Sequence, residues 1–265
     1  MYSKFQLGKK YLQYYFTASS GKGHGVHSPF VFDFIKKVLR DNAFYDCYPV
    51  IETARKNLLQ QKREIEVEDL GAGSSVTRSA KRVVAAIAAS SLKPAKYAQL
   101  LFRMVHYYKP VMILELGTSF GITTSYLASG NALANVHTIE GSKAIGAIAA
   151  NTFERVGIKN IRLTTGDFNH VLPMLLPAIS PVNLSFIDGN HRKEPTLNYF
   201  EQLLNHSTDS SIFIFDDIHW SPEMEEAWTS IKANPAVTLT IDLFFIGIVF
   251  INPDFKTPQH FVIRF

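Results

Sequence analysis

Apolar and polar positions change their period along the chain, and the change divides it near residue 111. Beyond that point, short apolar runs at 111–116, 135–139, 160–164, 183–187 and 211–215 alternate with stretches of helical spacing. Runs of this length that stay apolar and are bounded by turn residues read as strands buried on both faces. A helix between two strands gives room for a crossover, so these strands pair parallel. A helix near 222–233 is followed by strand-like runs at 237–243 and 246–251, with too few residues between them for a crossover. They pair antiparallel or diverge, with Gly247 near the turn. The seven runs predict an α/β fold with a doubly wound, mostly parallel, seven-stranded sheet, and the tail 259–265 offers one further edge strand.

Residues 1–110 read as a helical extension. Positions 2–16 mix Phe5, Leu7, Tyr11, Leu12, Tyr14, Tyr15 and Phe16 with lysines, the pattern of an aromatic-rich amphipathic helix or arm, with a membrane-surface helix as the alternative. The glycine-rich stretch 19–25 is a hinge that lacks the spacing of a phosphate loop. Ser28 and Pro29 stand as N-cap and first residue of a helix running to 39. His24 and His27 flank that junction, as acceptor-pocket residues or as loop histidines bonded to backbone. A charged segment at 50–64 is helical, the stretch 67–75 is a loop leading to a helix at 83–90, and a helix at 97–108 ends at Pro110.

The chain has 265 residues, 46% hydrophobic and 19% charged, which is a globular composition and long enough for a sizeable core. No apolar run reaches the ~18 residues that span a bilayer, and the opening lacks the apolar core of a signal peptide, so a cytoplasmic protein without a membrane span is expected. Cys47 is the single cysteine, which leaves no internal disulfide and no thiolate cluster. The net charge of +4 conceals an asymmetry. Residues 1–110 carry 18 Lys+Arg against 8 Asp+Glu, or +10, and residues 111–265 carry 9 against 15, or −6. A basic front half suits an anionic substrate, RNA or a membrane surface, or else docks on the acidic half. Its scattered charges favour docking or a solvated face.

The candidate chemistry begins where the first strand breaks into a turn, Glu115-x-Gly117-x-x-x-Gly121, with Glu140 closing the next apolar run. Such a turn brings backbone N–H groups and the positive end of a helix to one point. A dinucleotide fingerprint spaces its glycines as G-x-G-x-x-G, whereas here they sit four apart and Glu115 lies in the strand. In this arrangement the stretch resembles motif I of the class I S-adenosylmethionine-dependent methyltransferases. The resemblance implies a Rossmann-like methyltransferase fold over 111–265. It also implies that Glu115, Gly117, Thr118, Ser119 and Gly121 receive the methionine part of the cofactor and that Glu140 takes the ribose hydroxyls. After the third strand, Gly166-Asp167-Phe168 continues the likeness. Asp167 would accept from the adenine amino group and Phe168 cover the ring, unless Asp167 only caps the next helix.

The fourth and fifth strands end in Asp188-Gly-Asn-His191 and Asp216-Asp217-Ile-His219-Trp220. Ligands of an open α/β sheet lie beyond the carboxyl ends of the strands, and three gathered carboxylates repel unless a hard divalent cation joins them. The 28-residue separation of Asp188 from Asp216, followed at once by Asp217, resembles the Mg²⁺ or Ca²⁺ site of the catechol and caffeoyl-CoA type O-methyltransferases. That resemblance implies Asp188, Asp216 and Asp217 as metal ligands, with Asp188 also counted on the cofactor side. The family commonly has Asn as third ligand and Lys as base three residues after the first Asp. Asp217 and His191 stand in those places here. His191, and after it His219, is the expected base, and Trp220 is either a residue that stacks on an acceptor or a half-buried core side chain. Without a metal, Asp216 or Asp217 caps the helix after Ser221 or bonds the cofactor.

The combined reading is methyl transfer from S-adenosylmethionine to an oxygen of a small acceptor by in-line displacement. Two other readings stay open. One is an RNA or protein methyltransferase whose basic front half grips an anionic polymer; the other is a non-catalytic module that keeps the cofactor pocket. A homodimer is compatible with all three.

Overall fold

The structure, a computed structural model, describes residues 1–69 and 78–265. The loop expected at 67–75 lies, from residue 70 on, outside the described residues. Two compact units are formed, Met1–Asp41 with Ile179–Phe265, and Asn42–Ala178.

The first segment holds α1 (Lys4–Thr17) and α2 (Pro29–Phe34). A capping box starts α1: Gln6 N donates to Ser3 Oγ, and Ser3 N donates to Gln6 Oε1. Tyr14 is buried and Leu7 and Tyr11 half-buried on one face, while Phe5, Leu12 and Phe16 are exposed. The expected arm is therefore a helix with two apolar faces. Ser28 and Pro29 occupy the positions assigned to them, although the Ser28 side chain makes no cap bond, and α2 continues as a π-helical turn over Ile35–Leu39.

Asn42–Ala178 opens with α3 (Cys47–Gln60), β1 (Glu64–Asp69), β2 (Arg78–Val83), α4 (Val84–Ser91) and α5 (Ala95–Tyr108). The two strands correct the expectation that residues 1–110 are all helical. They pair antiparallel, Glu64 opposite Val83 and Val67 opposite Ala80, and Ile65 and Val67 enter a core with Ile51, Ile87, Phe102 and Tyr126. At the end of α5, Lys109 takes a left-handed φ of 52° and its N–H bonds Val105 O. There follow β3 (Met112–Leu116), α6 (Ile122–Gly130), β4 (Asn135–Glu140), α7 (Lys143–Val156), β5 (Ile161–Thr165) and α8 (Phe168–Ile179). The strands β3, β4 and β5 pair parallel, Glu115 beside Thr138 and Glu140 beside Thr165. Gly130 lets α6 lie close on α5, since a Cβ there would come 2.7 Å from that of Val105.

The remaining segment carries β6 (Val182–Ile187), α9 (Lys193–Leu204), β7 (Ser207–Asp216), α10 (Pro222–Lys232), β8 (Leu239–Asp242), β9 (Ile246–Phe250) and β10 (Gln259–Val262). The strand order is β10-β8-β9-β7-β6. β6 pairs parallel with β7 and β10 with β8, while β9 runs antiparallel to both β7 and β8. The reversed strand and the outer tail strand are as the sequence suggested. Among the described residues the two strand sets hold three and five members, one more than the expected seven, because β10 is ordered on β8. The fold is α/β and mostly parallel. In this unit α1 is stapled to the end of the chain: Tyr14 Oη donates to Ile263 O, Phe265 N donates to Tyr14 Oη at 3.1 Å, and Tyr11 stands edge-on to Phe244. No described helix is long and apolar enough to cross a membrane.

Candidate functional site

In Asn42–Ala178 the turn between β3 and α6 is shaped by three left-handed residues, Gly117 (φ 102°), Ser119 (φ 48°) and Gly121 (φ 79°). Gly117 N and Thr118 N donate to Ile139 O, which ties the turn to the neighbouring strand β4. Glu115 is fully buried beneath it. One carboxylate oxygen of Glu115 accepts from Thr124 and, at 2.7 Å, from Thr138, whose hydroxyl lies 2.6 Å from that of Thr118. Glu115 thus braces β3, β4 and α6 from below, a role that its place in the strand alone did not disclose.

Glu140 ends β4 with Oε2 accepting from Ser119 N at 2.8 Å and Oε1 accepting from Ser142 N at 3.0 Å. Burial pushes its carboxyl above the ordinary value, against the pull of the Ser142, Ser119 and Gly141 N–H groups. A carboxylate offers about four acceptor positions, so Glu140 keeps capacity for a sugar hydroxyl while its orientation is fixed by the turn. These groups fit the ribose end of an adenosyl cofactor. Ser91, at the end of α4, places its hydroxyl 2.9 Å from that of Ser119, a neighbour to the turn that the sequence gave no means of finding. Half-buried Asp167 accepts from Asn169 N at 2.7 Å, and its own carbonyl accepts from His170 N and Val171 N. This is the helix-capping alternative, and Phe168 follows it, half-buried, as the first residue of α8.

In the other unit the ends of β6 and β7 bring Asp188, His191 and Asp216 together, with one donor atom of each within 4.8 Å of the others. Asp216 is only 4% exposed. Two consecutive left-handed residues, Asn190 (φ 66°) and His191 (φ 22°), turn the loop so that His191 Nε2 comes within 3.5 Å of Asp188 Oδ1. Asn190 Nδ2 anchors the same loop by donating to Tyr199 Oη. Donors about 2.0–2.4 Å from one cation lie within this mutual spread, so the set fits a divalent metal. Asp217 is not a member. Its backbone is left-handed (φ 52°) and its N–H donates to Phe245 O at 2.7 Å, which turns the chain at the residue expected to be the third ligand. His191 is the third member of the converging group.

His219 also differs from expectation. Its Nδ1 lies 3.0 Å from Glu225 Oε1, its Nε2 lies 2.9 Å from Asp242 Oδ2, and the ring stacks on Phe244. Burial works against the charged ring, but the hydrogen bonds and charges of Asp242 and Glu225 outweigh it and raise the pKa. Both ring nitrogens are taken, so His219 is the centre of a hydrogen-bonded network. The network continues to α1, since Tyr2 Oη and Lys10 Nζ both donate to Glu225. Trp220 is half-buried and closes the turn after β7, its N–H donating to Asp217 O.

Residues 114–218 match a family described as a methyltransferase domain. No curated protein sequence matches the chain. Solved structures share its fold. The SAH-bound methyltransferase of Podospora anserina is 14% identical with a TM-score of 0.59, over 85% of this chain and 97% of that one. An O-methyltransferase of Bacillus cereus in complex with SAH is 20% identical with a TM-score of 0.54, over 83% and 97%. The O-methyltransferase TomG of Streptomyces achromogenes, involved in tomaymycin synthesis and solved with SAM, is 19% identical with a TM-score of 0.55, over 61% and 82%. The family match begins within β3 and ends just past β7, so it takes in both the glycine turn and the carboxylates at the strand ends, and over these residues the chain is similar to a methyltransferase domain.

Proposed function

We propose that this enzyme methylates one hydroxyl of a small acceptor bearing two vicinal oxygens, with a divalent cation held by Asp188 and Asp216. The observation that carries the reading is the convergence of Asp188, His191 and Asp216 at adjacent strand ends. When bound, S-adenosylmethionine supplies a methyl group on a sulfonium and the cation lowers the pKa of the acceptor hydroxyl. Glu140, fixed by Ser119 N and Ser142 N, orients the nucleoside end, and Gly117, Thr118, Ser119 and Gly121 cradle the amino-acid end. His191 would take the proton of the acceptor hydroxyl. The cation is Mg²⁺ or Ca²⁺ if only oxygen donors bind it; an imidazole from His191 in the set would favour Mn²⁺ or a later metal. Parts of residues 1–110 supply acceptor contacts.

The test uses catechol as probe acceptor and methyl-labelled S-adenosylmethionine, with and without chelator, on wild type and Asp188→Ala. Transfer that stops with chelator, returns with added divalent ion and is absent in Asp188→Ala supports the reading, provided that S-adenosylhomocysteine still raises the Tm of the variant. Transfer indifferent to chelator discards the metal, and a wild-type Tm indifferent to S-adenosylhomocysteine discards the cofactor assignment.

A further inference from the structure

The helix α1 spends only one of its two apolar faces on the fold. Tyr14, Tyr11 and Leu7 pack with Ala18 and Phe244, and Lys10 and Tyr2 bond Glu225. On the opposite side, Phe5 is 83%, Leu12 58% and Phe16 78% exposed. At 100° per residue these three fall within about 40° of one another, with Lys9 flanking them on one side and Gly8 on the other, and Lys4 about 100° round from Phe5. Lys4, Gly8 and Lys9 are exposed as well, and Gly8 adds no side chain that would shield the ridge. A helix serving only as a docking arm carries polar residues on its outward face. Contiguous exposed aromatic and aliphatic residues mark an interaction surface.

The charge of the segment selects the partner. Residues 1–32 contain Lys4, Lys9, Lys10 and Lys22 and no acidic residue. A second copy laid on this ridge would bring Lys4 and Lys9 against like charges with no carboxylate to offset them. An anionic lipid surface complements both features at once: aromatic and aliphatic side chains enter the headgroup boundary and the lysines stay at the charged surface. We propose that the outward face of α1 is a peripheral membrane-binding surface selective for anionic lipid. The capping box and the clamp on Glu225 hold the helix formed before contact, so little ordering cost falls on binding. The inference does not depend on the acceptor or on the metal.

The experiment is sedimentation of the full chain with phosphatidylcholine vesicles, with and without phosphatidylglycerol, at low and high salt. Wild type is expected to pellet with the anionic vesicles alone and to be released by salt. Phe5→Ser with Phe16→Ser is expected to weaken partitioning at least tenfold, and Lys4→Gln with Lys9→Gln by about fivefold for each lysine. All four positions are exposed, and an unchanged Tm certifies that each variant folds. Wild type that stays in the supernatant, or that pellets equally with both vesicles, overturns the proposal. So does a concentration-dependent dimer that the Phe5/Phe16 variant abolishes, which would assign the ridge to a second copy.

Discussion

Replacing Gly121 by alanine strikes the glycine turn in two separable ways. Gly121 sits at φ 79°, and a Cβ there would lie 2.8 Å from Cζ of Phe153, with the neighbouring Cε1 closer still. A left-handed φ costs a residue with a Cβ about 1–2 kcal/mol. Phe153 is buried at 7% exposure on α7, so its ring has little room to withdraw, and overpacking adds about 1–3 kcal/mol. The expected loss is therefore about 2–5 kcal/mol, a fall in Tm of roughly 5–20 °C at about 2–4 °C per kcal/mol. The two parts separate in a double-mutant cycle measured by denaturant unfolding. Against a Phe153→Leu background the clash is relieved, so Gly121→Ala should cost only the backbone share of about 1–2 kcal/mol. An equal cost in both backgrounds would show that the ring is no obstacle. A cost below about 0.5 kcal/mol in wild type would refute the backbone argument too. In the glycine-bearing Phe153→Leu protein, binding of S-adenosylhomocysteine should survive.

The His219 network gives stability on both sides of a plateau. His219 has a raised pKa, so its contribution is complete below its ordinary value of 6.5 and is lost as pH rises through the raised one. Glu225 is pulled down by Tyr2, Lys10 and His219 against the upward push of burial, so its contribution is present above 4.5 and lost as pH falls through the lowered value. The Tm difference between wild type and His219→Gln should shrink as pH rises above 6.5 and through the raised value; a difference that is flat or grows as pH rises would sink the assignment. His191→Ala separates base from ligand: a base loses kcat with divalent affinity unchanged, whereas a metal ligand loses affinity about 10-fold or more, read by calorimetric titration with Mn²⁺.

The parallel core was legible because its strands are nearly continuous apolar runs, so β3 to β6 fall within one residue or so of the expected limits. β7 begins earlier, at Ser207, in a polar stretch that carries no strand pattern. The β1–β2 pair was missed for a related reason: Glu64, Glu66 and Glu68 alternate with only two apolar residues, too short a period-2 signal to separate from a charged loop. The carboxylates at the strand ends were legible as a set, but which of them meet was decided by left-handed residues at 190, 191 and 217, and none of these is a glycine that would advertise the turn. The bond from His219 was not legible because its partner Asp242 lies 23 positions away, at the end of β8. Glu115 was visible as an acid in an apolar strand, yet Thr124 and Thr138, which engage it, look like ordinary helix and strand residues.

The bond from Tyr14 to Ile263 joins positions 249 apart. At about 5–20 residues per second of synthesis, α1 leaves the ribosome roughly 12–50 s before its docking strand exists. Asn42–Ala178, by contrast, is one continuous segment and has all its own residues in hand long before then. The enzyme thus matures inside out in time, its middle first and its first helix among the last pieces to find a place. During that wait the support α1 has is local, its own helical bonds and the reciprocal bonds of Ser3 and Gln6, which need nothing from the rest of the chain.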